Sequence, residues 1–231
     1  MAKQLELTYP SAKRVEVPMD RRSEWTHRFI FPRDLPESLV PLLDTLKKYL
    51  TITATQHIDF ALAFDFYKIP EEGVDPKQWK NSKPAELVSH GKYKVYSPLL
   101  RGKALAKLAE GSAAVMSKHP LLASCPTVIS FPGHKDDGKS FGELYAAKVA
   151  EVMGKTLIKA ESTLGPREPA KVNGSAHLMG NLRIRSTLSG SVIIIDDVYR
   201  TGGSFRAAGL AARQAGASQV FGIAAVRTLR N

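Results

Sequence analysis

The chain has 231 residues, 43% of them hydrophobic and 24% charged, with one cysteine and 33 Lys and Arg against 22 Asp and Glu. This is enough apolar material for a packed core, and it excludes an intrinsically disordered or disulfide-stapled chain. The net charge of +11 is scattered along the chain, so it suits nucleic acid and a polyanionic small substrate equally.

No apolar run approaches the roughly 18 residues of a membrane span. The start, MAKQLELTYPS, lacks the apolar stretch of a signal peptide, so a cytoplasmic protein with no membrane partner is expected. The six histidines show no metal-ligand spacing with Cys125 or with one another, and no protein-held metal is expected. Cys125 reads as a small buried hydrophobe.

In chain order, residues 1–33 carry three short strand-like pieces, KQLELTY, KRVEVP and THRFIF, broken by Pro10, Pro18 and Pro32. DLPESLVPLLDTLKKYL then reads as a helix whose start lies near Pro36 or Pro41. In HIDFALAFDF, Ile58, Phe60, Leu62, Phe64 and Phe66 alternate with other residues, the pattern of a half-buried strand. Residues 68–92 are polar and Pro-rich and read mostly as a connection. Residues 1–90 are therefore expected to form a small antiparallel α+β element, and residues 91–231 a core of a different style.

In that core, LLRGKALAKLAEGSAAVMSKH is a helical pattern and PTVISF a strand. A helix follows with Phe141, Leu144, Tyr145, Val149 and Val152 on one face, stopped by Gly154. The strands TLIKAE, SVIIIDD and QVFGIAAVR come next, with the helix SFRAAGLAARQAG between the last two. Continuous apolar strands alternating with helices predict a parallel sheet covered on both faces. Ligands of such sheets sit beyond the carboxyl ends of the strands. The chemistry should therefore lie just after residues 131, 161 and 197.

Two motifs fall there. Gly133-His134-Lys135-Asp136-Asp137-Gly138-Lys139-Ser140 fits the G-x-x-x-x-G-K-[ST] pattern of a P-loop. The second is VIIIDDVYRTGGS, residues 192–204, in which a strand delivers Asp196 and Asp197 and a Gly-rich turn opens a helix. Backbone N–H groups of such a turn make an anion site, and Arg200, Thr201 and Ser204 add donors. Adjacent carboxylates would repel a phosphate, so accepting hydrogen bonds from a sugar diol is the better use for them.

VIIIDDVYRTGGS resembles the phosphoribosyl pyrophosphate (PRPP) signature of type I phosphoribosyltransferases. The likeness extends more weakly over residues 90–228, in the style of the competence-associated ComF-type branch, through Lys92-Tyr93 and Ile129-Ser130-Phe131-Pro132. The resemblance implies an α/β parallel sheet flanked by helices, with residues 1–90 as an accessory element. It implies that Asp196 and Asp197 hold the ribose hydroxyls. Arg200, Thr201, Gly202, Gly203 and Ser204 would cradle the 5′-phosphate, and Pro132, Gly133, His134 and Lys135 would meet pyrophosphate. Mg²⁺ would be held mainly through the oxygens of PRPP. Arg200 departs from the family's usual Ser or Thr, and the cysteine-rich zinc element of the ComF branch is absent.

The long stretch 161–190 matches in position a mobile catalytic loop. It carries Arg167, Lys171, His177, Arg183 and Arg185, of which Arg167 is the catalytic candidate beside Lys135, Asp196 and Asp197. The expected activity is transfer of 5-phosphoribosyl from PRPP to a nitrogen of an unidentified acceptor. The acceptor pocket would come mostly from the first 90 residues, and a homodimer is possible.

Two alternatives stand beside this reading. One is a PRPP- or nucleotide-sensing nucleic-acid-binding protein on the same fold, with the basic N-terminal element as its binding surface; it is not the favoured reading. The other is a P-loop NTPase. Ser140-Phe141-Gly142-Glu143 is a capping box, which starts the helix at about Phe141, too late for a P-loop. Asp136 and Asp137 also suit a phosphate-wrapping loop poorly.

Overall fold

The computed structural model describes residues 1–52, 55–93, 96–166 and 176–229. Six strands form the main sheet: β3 (Leu50–Ile52), β4 (Phe60–Phe66), β5 (Thr127–Ser130), β6 (Thr156–Lys159), β9 (Ser191–Tyr199) and β10 (Gln219–Arg227). Their order is β3-β4-β10-β9-β5-β6, parallel throughout except for the edge strand β3. The parallel sheet flanked by helices expected from the core motifs is thus the architecture observed.

The sheet is covered on both faces, as its continuous apolar runs require. Ile193, Ile195, Phe221 and Ile223 point into one core. Val192, Ile194, Val220 and Ala224 point into the other. Val192 to Ile195 are all at most 1% exposed, and each fully buried isoleucine contributes about 1.5–3 kcal/mol.

The first core lies under α1 (Ala2–Thr8), α2 (Leu39–Lys48), α3 (Lys83–Lys92), α4 (Pro98–Lys118) and α6 (Phe141–Met153). The short α5 (Pro120–Ser124) joins α4 to β5. The second core lies under α7 (Gly203–Gln214) and residues 178–188. Two small antiparallel strand pairs complete the described fold: β1 (Lys13–Val15) with β2 (Arg28–Ile30), and β7 (Glu161–Ser162) with β8 (Leu182–Arg183).

The structure corrects four local expectations. Residues 3–8 are helical in α1 rather than extended, and Tyr9 caps the helix end. Ala2, Leu5 and Tyr9 fall on one buried side at helical spacing, and the Leu-Glu-Leu alternation is incidental. The strand 60–66 is not half-buried, because Ala61 and Ala63 between the large residues face the second core. It also pairs parallel with β10, so β4 belongs to the main sheet, while β1–β2 and β3–β4 are antiparallel. Lastly, residues 83–92 are a helix. Ser82 caps it by accepting from the Ala85 N–H at 3.3 Å, with Pro84 in the first turn.

At the amino ends of the strands, a clamp joins three elements. The Asp59 carboxylate accepts from Arg213 at 2.6 Å and from the Val220 N–H at 2.7 Å, tying β4 to the end of α7 and the start of β10. The opposite ends of the strands are left for ligands.

Candidate phosphate and sugar site

Strands β5 and β9 are neighbours, yet the chain leaves them in opposite directions, β5 toward β6 and β9 toward β10. Such a switch point opens a crevice beyond the carboxyl ends of the two strands. The loop 131–140 and the loop 200–202 both emerge there.

The second loop is shaped by Gly202, the N-cap of α7, at φ +76°. A Cβ on Gly202 would fall 2.3 Å from Tyr199 Oη, so only glycine lets the loop lie on the tyrosine. No side chain among the described residues caps the helix, and the first N–H groups of a helix are a place where an anion can bind. Arg206 donates to the Thr201 carbonyl at 3.1 Å and fastens the loop from inside the helix. Gly202 and Gly203 are buried, Ser204 is half-buried, and Arg200 and Thr201 are exposed. The donors expected to cradle a phosphate thus lie together at one helix end.

Aromatic rings tie this loop to its neighbour. Phe205 in the first turn of α7 packs edge-on against both Tyr199 and Phe131, the residue that ends the β5 stretch. Gly222 makes room for it, since a Cβ there would fall 2.3 Å from the Phe205 ring.

In the first loop, Ser140 is the N-cap of α6 and forms the expected capping box with Glu143. One Glu143 oxygen accepts from the Ser140 N–H (3.2 Å), the Ser140 hydroxyl (2.5 Å) and the Gly133 N–H (3.1 Å). Gly133 is pressed against the cap, with its missing Cβ 2.4 Å from Ser140 Cβ. In a P-loop, N–H groups at these positions would face phosphate, but here the chain's own carboxylate takes them. Lys139 lies outside the helix, its N–H bonded to Asp137 at 3.0 Å. This geometry speaks against the P-loop reading. Pro132 is buried and Gly133 half-buried, while His134 and Lys135 are exposed at the loop tip.

Between the loops stand the two acids. Asp196 accepts from the Asp197 N–H at 2.8 Å. Gly142, in the first turn of α6, faces it, with the missing Cβ 3.0 Å from Asp196 Oδ1. Burial, with Asp197 adjacent, pushes the Asp196 carboxyl well above the usual range.

The Asp197 side chain is 8% exposed and both of its oxygens are held by Lys92 Nζ, at 3.0 and 2.9 Å. Burial alone would lower the pKa of Lys92. Asp197, and Asp196 behind it, outweigh that and raise it. Lys92 was legible only as part of a family-like Lys-Tyr pair, and its partner lies 105 residues away.

No group of three or more His, Cys, Asp or Glu side chains that could hold a metal comes together among the described residues. With Asp197 occupied by Lys92, these side chains do not fit a protein-held divalent ion.

Of the loop cations, Arg167 and Lys171 lie outside the described residues. Arg185 pairs with Glu161 at 2.7 Å at the β7–β8 strand pair, and Arg183 is exposed on the same pair. A cleft of about 590 Å³ adjoins the loop 200–202, lined among others by Arg200, Thr201, Tyr67, Lys68, Lys77 and Trp79. Its floor is organised locally: Lys68 donates to the Trp79 carbonyl at 2.7 Å, and the Trp79 indole N–H donates to the Val74 carbonyl at 3.0 Å.

No helix among the described residues is long and apolar enough to cross a membrane. No family model matches the chain, and no curated protein matches it. Among solved structures, the chain is similar to the adenine phosphoribosyltransferase of Saccharomyces cerevisiae complexed with an imino-altritol bisphosphate and adenine. The identity is 17%, the TM-score 0.41, and the match covers 82% of this chain and 89% of that one. It is also similar to a purine phosphoribosyltransferase from Pyrococcus horikoshii, at 16% identity and TM-score 0.34, over 56% of this chain and 82% of that one. The competence-associated branch finds no support among these comparisons.

Proposed function

We propose that this chain binds PRPP and transfers its 5-phosphoribosyl group to a nitrogen nucleophile, releasing pyrophosphate. The observation that carries the reading is the juxtaposition at one switch point of an uncapped, glycine-shaped helix N-terminus, two adjacent carboxylates and a second loop bearing His134 and Lys135. A sugar phosphate with a diol and a second anionic group has a match for each of its parts there.

In this reading the 5′-phosphate takes the N–H groups of Gly203 and Ser204 with the Thr201 and Ser204 hydroxyls, and Arg200 adds charge from the rim. The ribose hydroxyls donate to the acidic pair. Lys135 and His134 face the leaving pyrophosphate. The acceptor nitrogen gives its lone pair to C1′ as the C1′–O pair departs with pyrophosphate, and the nitrogen's proton passes to water. The protein's contribution is electrostatic, holding charge that develops on the leaving group. Magnesium, in this account, arrives on the oxygens of PRPP. The cleft lined by Tyr67, Lys68 and Trp79 is the place for the acceptor.

The test is equilibrium binding of PRPP to the wild type and to two variants. Asp197→Asn should weaken PRPP at least about tenfold, the cost of one charge-assisted hydrogen bond. Lys139→Ala should leave it unchanged. The reverse pattern, with ATP bound and lost on Lys139→Ala, would establish the NTPase instead.

A further inference from the structure

Two adjacent carboxylates in a nearly buried strand end need a counter-charge, and in metal-dependent sites that charge is a divalent ion. Here a side chain stands in that place. The Lys92 ammonium lies 2.9 and 3.0 Å from the two Asp197 oxygens, a symmetric grip of the kind a carboxylate gives a bound cation.

Its position is built from three helices. Lys92 is the last residue of α3. Just before it, Gly91 sits against the Phe141 ring at the start of α6, where a Cβ would fall 2.1 Å from the ring. The Gly91 carbonyl accepts from Arg101 Nε in α4 at 3.1 Å. The end of α3 is thus fixed by the two helices that flank the site, and α6 is itself pinned to α4 by the Ser112–Tyr145 bond at 2.5 Å.

The Lys92 side chain, although held by Asp197, is 42% exposed, so its ammonium keeps surface that an anion in the crevice can meet.

We propose that Lys92 is the resident cation of the Asp196–Asp197 pair, filling at Asp197 the place of a divalent ion and offering its exposed surface to a bound sugar phosphate. The pair then draws no metal from solution in the ligand-free protein. The metal half of this inference is independent of the phosphoribosyl reading, and the sugar-phosphate half rests on it.

Both halves are read by titrating Mg²⁺ alone, and then ribose 5-phosphate in EDTA, into the wild type, Lys92→Met and Lys92→Arg. Expected is no Mg²⁺ binding by the wild type or Lys92→Arg. Lys92→Met should gain millimolar Mg²⁺ binding that disappears again in Lys92→Met with Asp197→Asn. Ribose 5-phosphate in EDTA should bind Lys92→Met about tenfold more weakly than wild type, the loss of one charge-assisted bond. Mg²⁺ should then restore the affinity of Lys92→Met without helping the wild type.

Mg²⁺ binding by the ligand-free wild type overturns the proposal, and this result needs no variant to fold. Equal Mg²⁺ behaviour of wild type and Lys92→Met overturns it too, as does equal affinity for ribose 5-phosphate in EDTA. A wild type that binds neither ribose 5-phosphate nor PRPP removes the phosphoribosyl reading and the sugar-phosphate half, and the Mg²⁺ arm still decides the metal half.

Discussion

Acidifying this protein places a charge on a histidine that has no partner for it. His119, between α4 and α5, is fully buried and stacked on Phe60, with ring centroids 4.9 Å apart. Its Nε2 meets Gln4 Oε1 at 3.2 Å, and Gln4 in turn donates to Thr51. Nδ1 is buried with no hydrogen-bond partner among the described residues. Burial lowers the pKa from 6.5 to about 4, so the folded state favours the neutral ring. Stability from this residue is complete above pH 6.5, falls as the pH drops from 6.5 toward 4, and is flat below.

At roughly 1.36 kcal/mol per pH unit, the full loss is about 3 kcal/mol. Urea unfolding measured from pH 7.5 to pH 4 should show it as a difference between the wild type and His119→Phe. The variant starts less stable by about 1–3 kcal/mol, because Gln4 loses a partner, and its stability then declines less on acidification. The two curves should converge or cross. Parallel curves with a constant offset would refute the assignment of the buried neutral imidazole.

Two further outcomes concern the loops. Gly202→Ala forces a side chain into a left-handed conformation against Tyr199 Oη. It should cost about 1–2 kcal/mol of stability in thermal unfolding from the backbone alone, and abolish sugar-phosphate binding by calorimetry. Glu143→Gln weakens the staple between Gly133 and Ser140. It should cost about 0.5–2 kcal/mol, as a damaged helix cap does, and loosen pyrophosphate binding more than ribose 5-phosphate binding. Equal losses for the two ligands would deny the loop 131–135 its assigned partner.

What could be read from the sequence was local. The strand and turn of residues 192–204 form one contiguous stretch, so the buried run, the acids and the helix entry are all legible in the sequence. The capping box at Ser140 was equally plain, and it located the start of α6 at Phe141. Local pattern misled where it was weak. In α1 a Leu-Glu-Leu alternation masked helical spacing, and in residues 83–92 polar composition and Pro84 hid a capped helix. In β4, alanines that face a second core resembled a solvent side, because small residues say little about which face is covered. Lys92, Phe131, Tyr199 and Phe205 were not visible as a site, since their partnerships arise from tertiary packing over as much as 105 residues of chain.

The central claim is that the crevice between β5 and β9 takes PRPP. Calorimetric titration of the wild type with PRPP and with ATP, each with Mg²⁺, tests it most directly. The account predicts saturable PRPP binding that excess ribose 5-phosphate competes away, and no ATP binding at the same concentrations. Tight ATP binding with no response to PRPP would contradict it.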